Sequence, residues 1–153
     1  MADLWGVLLG GLIGVSGTTL SQWLLSKDER ENVKKQSRAE KFEALVDTLY
    51  DHEQWLDEFR SKAIFASSEE LRVSPYIKAQ TLALVHFPQL ADDFAKFDYA
   101  RTEYIAWMYA AAQNRMSGNK DYSDGFAGAY EKYGAVRNKL FDMLRDFGRR
   151  TFH

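Results

Sequence analysis

The chain has 153 residues, a length that suits one domain with one modest hydrophobic core. Aromatic residues make up 14% and charged residues 27% of the sequence, so we expect most of it to fold rather than stay disordered. A formal net charge of −2 gives no global argument for nucleic-acid binding, and the absence of cysteine excludes disulfides, thiolate metal sites and cysteine nucleophiles.

The first predicted element is a transmembrane helix over residues 4–25, which carry no charged side chain. A helix of this length spans about 33 Å, close to the ~30 Å hydrocarbon core of a bilayer. Trp5 and Trp23 stand near its two ends, where aromatic rings favour the headgroup region. A cleaved signal peptide fits poorly, because residues 1–3 carry no basic side chain. A buried soluble helix is the alternative, since the run is rich in glycine.

Basic side chains follow the predicted span and none precedes it, which predicts an outward amino terminus and a cytoplasmic carboxyl-terminal domain. These side chains are Lys27, Arg30, Lys34, Lys35, Arg38 and Lys41. Lipid headgroup contact is predicted for the first four of them. One span followed by a helical cytosolic domain is typical of many short bacterial membrane proteins, so the expected location is a bacterial-type inner (plasma) membrane.

A juxtamembrane stalk is predicted over residues 26–38, where Val33 is the one apolar side chain. Such a segment cannot pack on a core, but Glu31 and Lys35 form a favourable pair one helical turn apart. We therefore expect a solvated helix here.

Small residues repeat every four positions in the predicted span, at Gly6, Gly10, Gly14 and Thr18. Such a row lies along one face of a helix and lets a second backbone approach closely. The row predicts self-association in the membrane and hence a homo-oligomer. Glycine is also common in membrane spans, so a chance spacing is the competing interpretation.

Residues 39–153 are predicted to form a small antiparallel cytosolic bundle of three long helices and one short one, which makes the fold class all-α. Apolar residues at spacings of three and four mark the first long helix: Phe42, Leu45, Val46, Leu49, Leu56, Phe59 and Ala63. Ser74-Pro75 predicts the start of the short helix, which ends or kinks before Pro88. The other long helices are expected over 89–116 and 125–147, separated by the loop 117–125.

No residue pattern predicts catalysis, a cofactor or a metal site. Asp51, His52 and Glu53 are adjacent, so on a helix they point about 100° apart and cannot converge on one ion. We interpret His52 as a structural or solvent-facing histidine. Phosphate-binding glycine loops, nucleophile elbows and zinc motifs are absent from the sequence. An enzyme is therefore not predicted.

An aromatic cluster at residues 104–112 supplies the predicted partner contacts, Tyr104 and Trp107, of which Trp107 lies off the apolar stripe of its helix. The predicted function is a non-enzymatic, membrane-anchored, self-associating helical module that binds a protein partner through its cytosolic bundle. The alternative is a small pore-forming or membrane-perturbing effector, phage- or defence-related. The polar half of the span supports this alternative through Ser16, Thr18, Ser21 and Gln22.

Overall fold

A computed structural model describes the backbone of residues 3–65 and 73–152 and the side chains of residues 29–64 and 73–152. All regular structure in these residues is helical, which confirms the predicted all-α class. The elements are α1 (Asp3–Phe65), α2 (Tyr76–His86), a short 3₁₀ helix (Pro88–Leu90), α3 (Ala91–Met116) and α4 (Phe126–Phe152). Two compact units divide the chain between Ala39 and Glu40.

The first unit consists of the amino-terminal part of α1. Every described side chain from residue 29 to residue 38 is exposed, including Val33 at 65%. None of the helices, over the residues searched, is long and apolar enough to cross a membrane. The predicted span, residues 4–25, lies outside the described side chains, and it stays a prediction from the sequence.

The second unit is a helical bundle, and its core begins with one stripe of α1. Buried residues recur there at alternating spacings of four and three: Leu45, Leu49, His52, Leu56 and Phe59. This spacing keeps all of them on one helix face, toward the other helices. The remaining core is strongly aromatic, with Phe87, Phe94, Phe97 and Tyr133 all almost fully buried.

Ring contacts fix the direction of each helix in the bundle. Helix α4 is antiparallel to α1, because Phe42 contacts Phe147 at 5.3 Å and Tyr50 contacts Phe141 at 5.0 Å between centroids. Helix α3 is parallel to α1, since His52 lies beside Phe97 and Phe59 lies beside Tyr109.

Helix α2 runs back along α1, because Tyr76 lies beside His52 and Phe87 lies beside Phe42. The result is an up-down-up-down bundle with one short member, which confirms the predicted helical bundle.

Local sequence explains where the helices end. Phe87 adopts φ −137° and ψ 58°, because the following proline disfavours helical geometry, and α2 ends at His86. Gly125, with φ +80°, makes the turn into α4 in a conformation that side-chain-bearing residues avoid. Helix α4 continues to Phe152, beyond the predicted end at residue 147, because the Phe152 ring packs on Phe42 at 5.4 Å.

Candidate functional site

Trp107 lies on α3 and faces the loop that leads into α4. Its indole Nε1–H donates a hydrogen bond to the Asp124 carbonyl oxygen at 3.0 Å, and its ring lies 5.4 Å from that of Phe126. A Cβ added at Gly125 would lie 3.6 Å from Trp107 Nε1. The turn before α4 therefore packs closely on one edge of the indole and holds it in place.

Tyr104, the other predicted contact residue, lies beneath this surface. It is 3% exposed, and its ring stacks on Tyr133 at 5.0 Å and on Trp107 at 6.1 Å. The Tyr104 hydroxyl accepts a hydrogen bond from Arg60 Nη1 at 3.4 Å. The structure thus brings the two predicted residues together, but Trp107 is the one that reaches the surface and Tyr104 supports it.

Arg60 on α1 completes the group. Its guanidinium lies 5.8 Å from the centre of the Phe126 ring and 5.9 Å from that of Tyr130, a distance at which a cation is attracted to an aromatic face. A salt bridge of 2.9 Å joins it to Asp57 one turn earlier. Four contacts from three helices therefore fix the orientation of a partly exposed cation.

A cavity of about 460 Å³ opens beside these side chains. We call it the Trp107 cavity; it is lined by Arg60, Ile64, Trp107, Ser123, Asp124, Gly125, Phe126 and Ala127. Its volume lies in the range of ordinary ligand pockets, and most of its wall is apolar, with one cation at the edge. The cavity can take an apolar side chain or a similar small group.

His52 is the most deeply buried polar side chain among the described residues of the bundle. Its side chain is 0% exposed, and its Nδ1 lies 3.1 Å from the Ser74 hydroxyl oxygen. The same oxygen accepts the N–H of Tyr76, the first residue of α2, at 3.3 Å. The N-cap position itself is Pro75, one residue later than the sequence predicts. We assign the proton of the Ser74 hydroxyl to the bond with His52 Nδ1. The imidazole ring is then neutral, with its own proton on Nε2.

Burial lowers the pKa of His52 to about 3, and the positive charge of Arg101 acts in the same direction. Its Nε2 has no hydrogen-bond partner among the described residues, and the ring packs between aromatic neighbours, stacked on Trp55 at 5.7 Å. A serine beside a histidine suggests a nucleophile and its base. Here, however, the hydroxyl accepts the first N–H of α2 and the ring lies inside the core, so the pair joins α1 to α2.

Glu53, the next residue, points to α4 instead. The Tyr133 hydroxyl donates a hydrogen bond to Glu53 Oε1, and Arg137 Nη1 lies 3.5 Å from Oε2. Burial raises the pKa of the Glu53 carboxyl, although Tyr133 and Arg137 both act to lower it. Burial also raises the pKa of the Tyr133 hydroxyl, and the adjacent Glu53 charge adds to this effect. The contacts of Glu53 with Tyr133 and Arg137 therefore join α1 to α4.

The remaining predicted sites concern the amino-terminal unit. Gly6, Gly10, Gly14, Thr18 and Lys27 lie outside the described side chains. Of the predicted headgroup contacts, the structure describes the side chains of Arg30, Lys34 and Lys35. All three are exposed on α1. No group of three metal-ligating side chains converges in the part of the chain searched.

Comparison with known proteins gives no relative: the chain matches no family model, no curated protein and no solved structure.

Proposed function

We propose that the protein is a non-enzymatic, membrane-anchored, self-associating helical module that binds a protein partner through its cytosolic bundle. The observation that carries the partner-binding part is the Trp107 cavity, a mostly apolar pocket with an arginine at its edge. Tryptophan and arginine are the residues that dominate binding energy in many protein interfaces.

The site is already ordered before any partner binds. Trp107 is held by its bond to the Asp124 carbonyl, and Arg60 is held by Asp57 and Tyr104. Binding therefore costs little side-chain entropy, so even a small contact area can give useful affinity. The occupant that fits is an apolar side chain of the partner, with a carboxylate or carbonyl beside it to meet the Arg60 guanidinium.

The cavity lies at the end of the bundle away from Phe42. Phe42 and Arg60 are 18 positions apart on α1, or about 27 Å along the helix. A partner bound there leaves the Phe42 end of the bundle free for other contacts. The anchor in this proposal is the uncharged segment 4–25, in a bacterial-type inner membrane with the amino terminus outside.

Site-specific photo-crosslinking in intact cells tests the partner site. A photoreactive residue at Ala127, which lines the cavity, is compared with one at Ala135, an exposed position of α4 outside it. We expect a discrete protein adduct from position 127, its loss when Arg60→Leu is added, and no such adduct from position 135. Equal adducts from both positions would show that the cavity is not the binding site.

Fractionation tests the anchor. We expect the full chain to stay with membranes after washes with high salt and alkaline carbonate, and a chain that starts at Glu40 to be soluble without detergent. Glu40 begins the second compact unit, so the shortened chain keeps the whole bundle core. A full chain that is soluble without detergent would overturn the membrane anchor and favour a buried amino-terminal helix.

A further inference from the structure

The loop before α4 contains an aspartate followed directly by a glycine, Asp124–Gly125, and the sequence has no other Asp-Gly or Asn-Gly pair. The side-chain carboxyl of an aspartate can react with the nitrogen of the next peptide group, and a following glycine has no Cβ to hinder that approach. Both Asp124 and Gly125 are exposed. Asp124 is therefore the aspartate of this chain whose following nitrogen is least hindered.

Neither reacting group is held by another contact in the described part of the chain. The Gly125 N–H donates no hydrogen bond there, although the amides on both sides of it do: the Asp124 N–H donates to Asp121 and the Phe126 N–H donates to Ser123. The Asp124 carboxylate makes no ion pair or hydrogen bond with any described residue. The carboxyl can therefore turn toward the Gly125 nitrogen without breaking a contact.

The indole of Trp107 contacts the carbonyl of this same peptide bond. Its Nε1–H donates a hydrogen bond to the Asp124 carbonyl oxygen at 3.0 Å. The Gly125 nitrogen must lose its proton before it can attack, and the resulting negative charge is shared with that carbonyl oxygen. A donor already placed at an oxygen where charge develops stabilises the anion. Trp107 therefore favours loss of the Gly125 amide proton.

We propose that Asp124 is a site of spontaneous isomerisation, which Trp107 promotes. The Gly125 nitrogen bonds to Asp124 Cγ, and the carboxyl hydroxyl and the amide proton leave as water, which gives a five-membered succinimide. Water then adds to the main-chain carbonyl carbon of Asp124, and the bond from that carbon to the Gly125 nitrogen breaks. The product is an isoaspartyl residue, in which the main chain runs through Cγ. Water is the only molecule released or consumed.

Isomerisation changes the wall of the Trp107 cavity, which Asp124, Gly125 and Phe126 all line. The main chain becomes one carbon atom longer just before Phe126, and the carbonyl that accepted the indole N–H becomes part of a free carboxylate. An aged chain should therefore bind its partner more weakly than a fresh one. This consequence rests on the proposed function, whereas the isomerisation itself does not.

Ageing of the full chain in detergent tests the proposal. The parent, Trp107→Phe and Trp55→Phe are kept in warm neutral buffer, both folded and unfolded in guanidinium chloride. Peptide mapping separates the aspartyl, succinimidyl and isoaspartyl forms of residue 124, and an isoaspartyl methyltransferase with a labelled methyl donor identifies the last form. Trp55 is the matched control, because its ring stacks on His52 and Phe59 and does not line the cavity.

We expect isoaspartate at position 124 in the folded parent and in folded Trp55→Phe, and a several-fold slower accumulation in folded Trp107→Phe. The three chains should react at equal rates when unfolded, because the indole then no longer contacts the Asp124 carbonyl. Asp121, in the same loop but followed by a tyrosine, should stay unchanged.

A folded parent that stays aspartyl at position 124 would overturn the proposal, and so would an equal or faster rate in folded Trp107→Phe. The first result needs no substitution, so it decides the matter even where circular dichroism shows that Trp107→Phe is misfolded. Crosslinking from position 127 with fresh and aged chains is a separate measurement. A chain that isomerises but gives no adduct even when fresh would refute the partner site alone.

Discussion

His52 is a titratable residue in the buried stripe of α1, between Leu49 and Leu56. The folded ring stays neutral because burial lowers its pKa from 6.5 to about 3. The unfolded side chain has the ordinary value, so between these two pH values the unfolded state binds more protons. Stability must therefore fall as the pH drops below about 6.5, and the loss continues toward about pH 3.

The bundle should lose about 2 kcal/mol of unfolding free energy between about pH 7 and pH 5 through His52 alone. Urea unfolding of the chain from Glu40 at the two pH values measures this loss. Glu53 acts in the opposite direction, because its raised folded pKa adds stability as its carboxyl protonates. Because asparagine does not protonate in this pH range, the difference in pH dependence between the parent and His52→Asn gives the contribution of the histidine. Equal pH dependence in the two proteins would contradict the assignment of a neutral buried ring.

Tyr133 supplies the hydroxyl that satisfies Glu53 across the α1–α4 contact. Tyr133→Phe keeps the ring but leaves a half-buried carboxylate without this donor, so we expect a loss of about 1.5–3 kcal/mol. The matched control is Tyr130→Phe, an exposed tyrosine one turn earlier on α4, where a change within about 0.5 kcal/mol is expected. Thermal and urea unfolding measure both. Similar small losses would mean that the Glu53 contact is not formed in solution.

Two of the three glycines in α4 have opposite surroundings. A Cβ at Gly134 would meet nothing within 4 Å, whereas one at Gly148 would lie 3.0 Å from Phe42 Cε1. Gly134→Ala should therefore stabilise the bundle by about 0.8–1 kcal/mol through helix propensity alone.

Gly148→Ala should lose that gain and destabilise by about 1 kcal/mol, because the Phe42 ring is held by Phe87, Phe147 and Phe152 and cannot easily move. Unfolding of the two variants side by side separates propensity from packing. Equal stabilisation by both would contradict the close approach of α4 to Phe42.

Most helix limits of the bundle followed from local chemistry that the sequence displays. Ser74-Pro75, Pro88 and the polar loop 117–125 mark positions where only certain residues fit, so the predicted short helix and loop match the structure closely. The candidate site was harder to predict. Trp107 stood out because it left the apolar stripe, but Arg60 reaches Tyr104 across 44 positions and Ser74 reaches His52 across 22. Such pairings depend on how the helices pack, and no local pattern encodes them.

One helix, Asp3–Phe65, contributes residues to both compact units. Its composition changes along its length, from uncharged residues at 4–25, through a charged exposed stretch, to the buried stripe that begins at Leu45. Propensity and pairs such as Glu31–Lys35 favour a helix throughout the charged stretch, which has no core to pack on. We therefore expect the uncharged, the charged and the apolar-striped segments of this helix to lie in different surroundings. Substitutions in the glycine row test this expectation for the uncharged segment.

A peptide of residues 1–38 isolates the glycine row from the bundle. In detergent we expect it to self-associate, and we expect Gly10→Leu to make it monomeric, because the larger side chain blocks the close approach of two backbones. Gly11→Leu is the matched control: the neighbouring glycine lies about 100° around the helix, off the row, so association should persist.

Sedimentation equilibrium measures both variants, and equal masses would remove the glycine row as the contact. Dye release from liposomes with the full chain then separates the module from the pore-forming alternative. If the protein is a partner-binding module, the vesicles stay intact. Leakage that is abolished by Gly10→Leu and Gly14→Leu would instead favour a pore built from the same helix face.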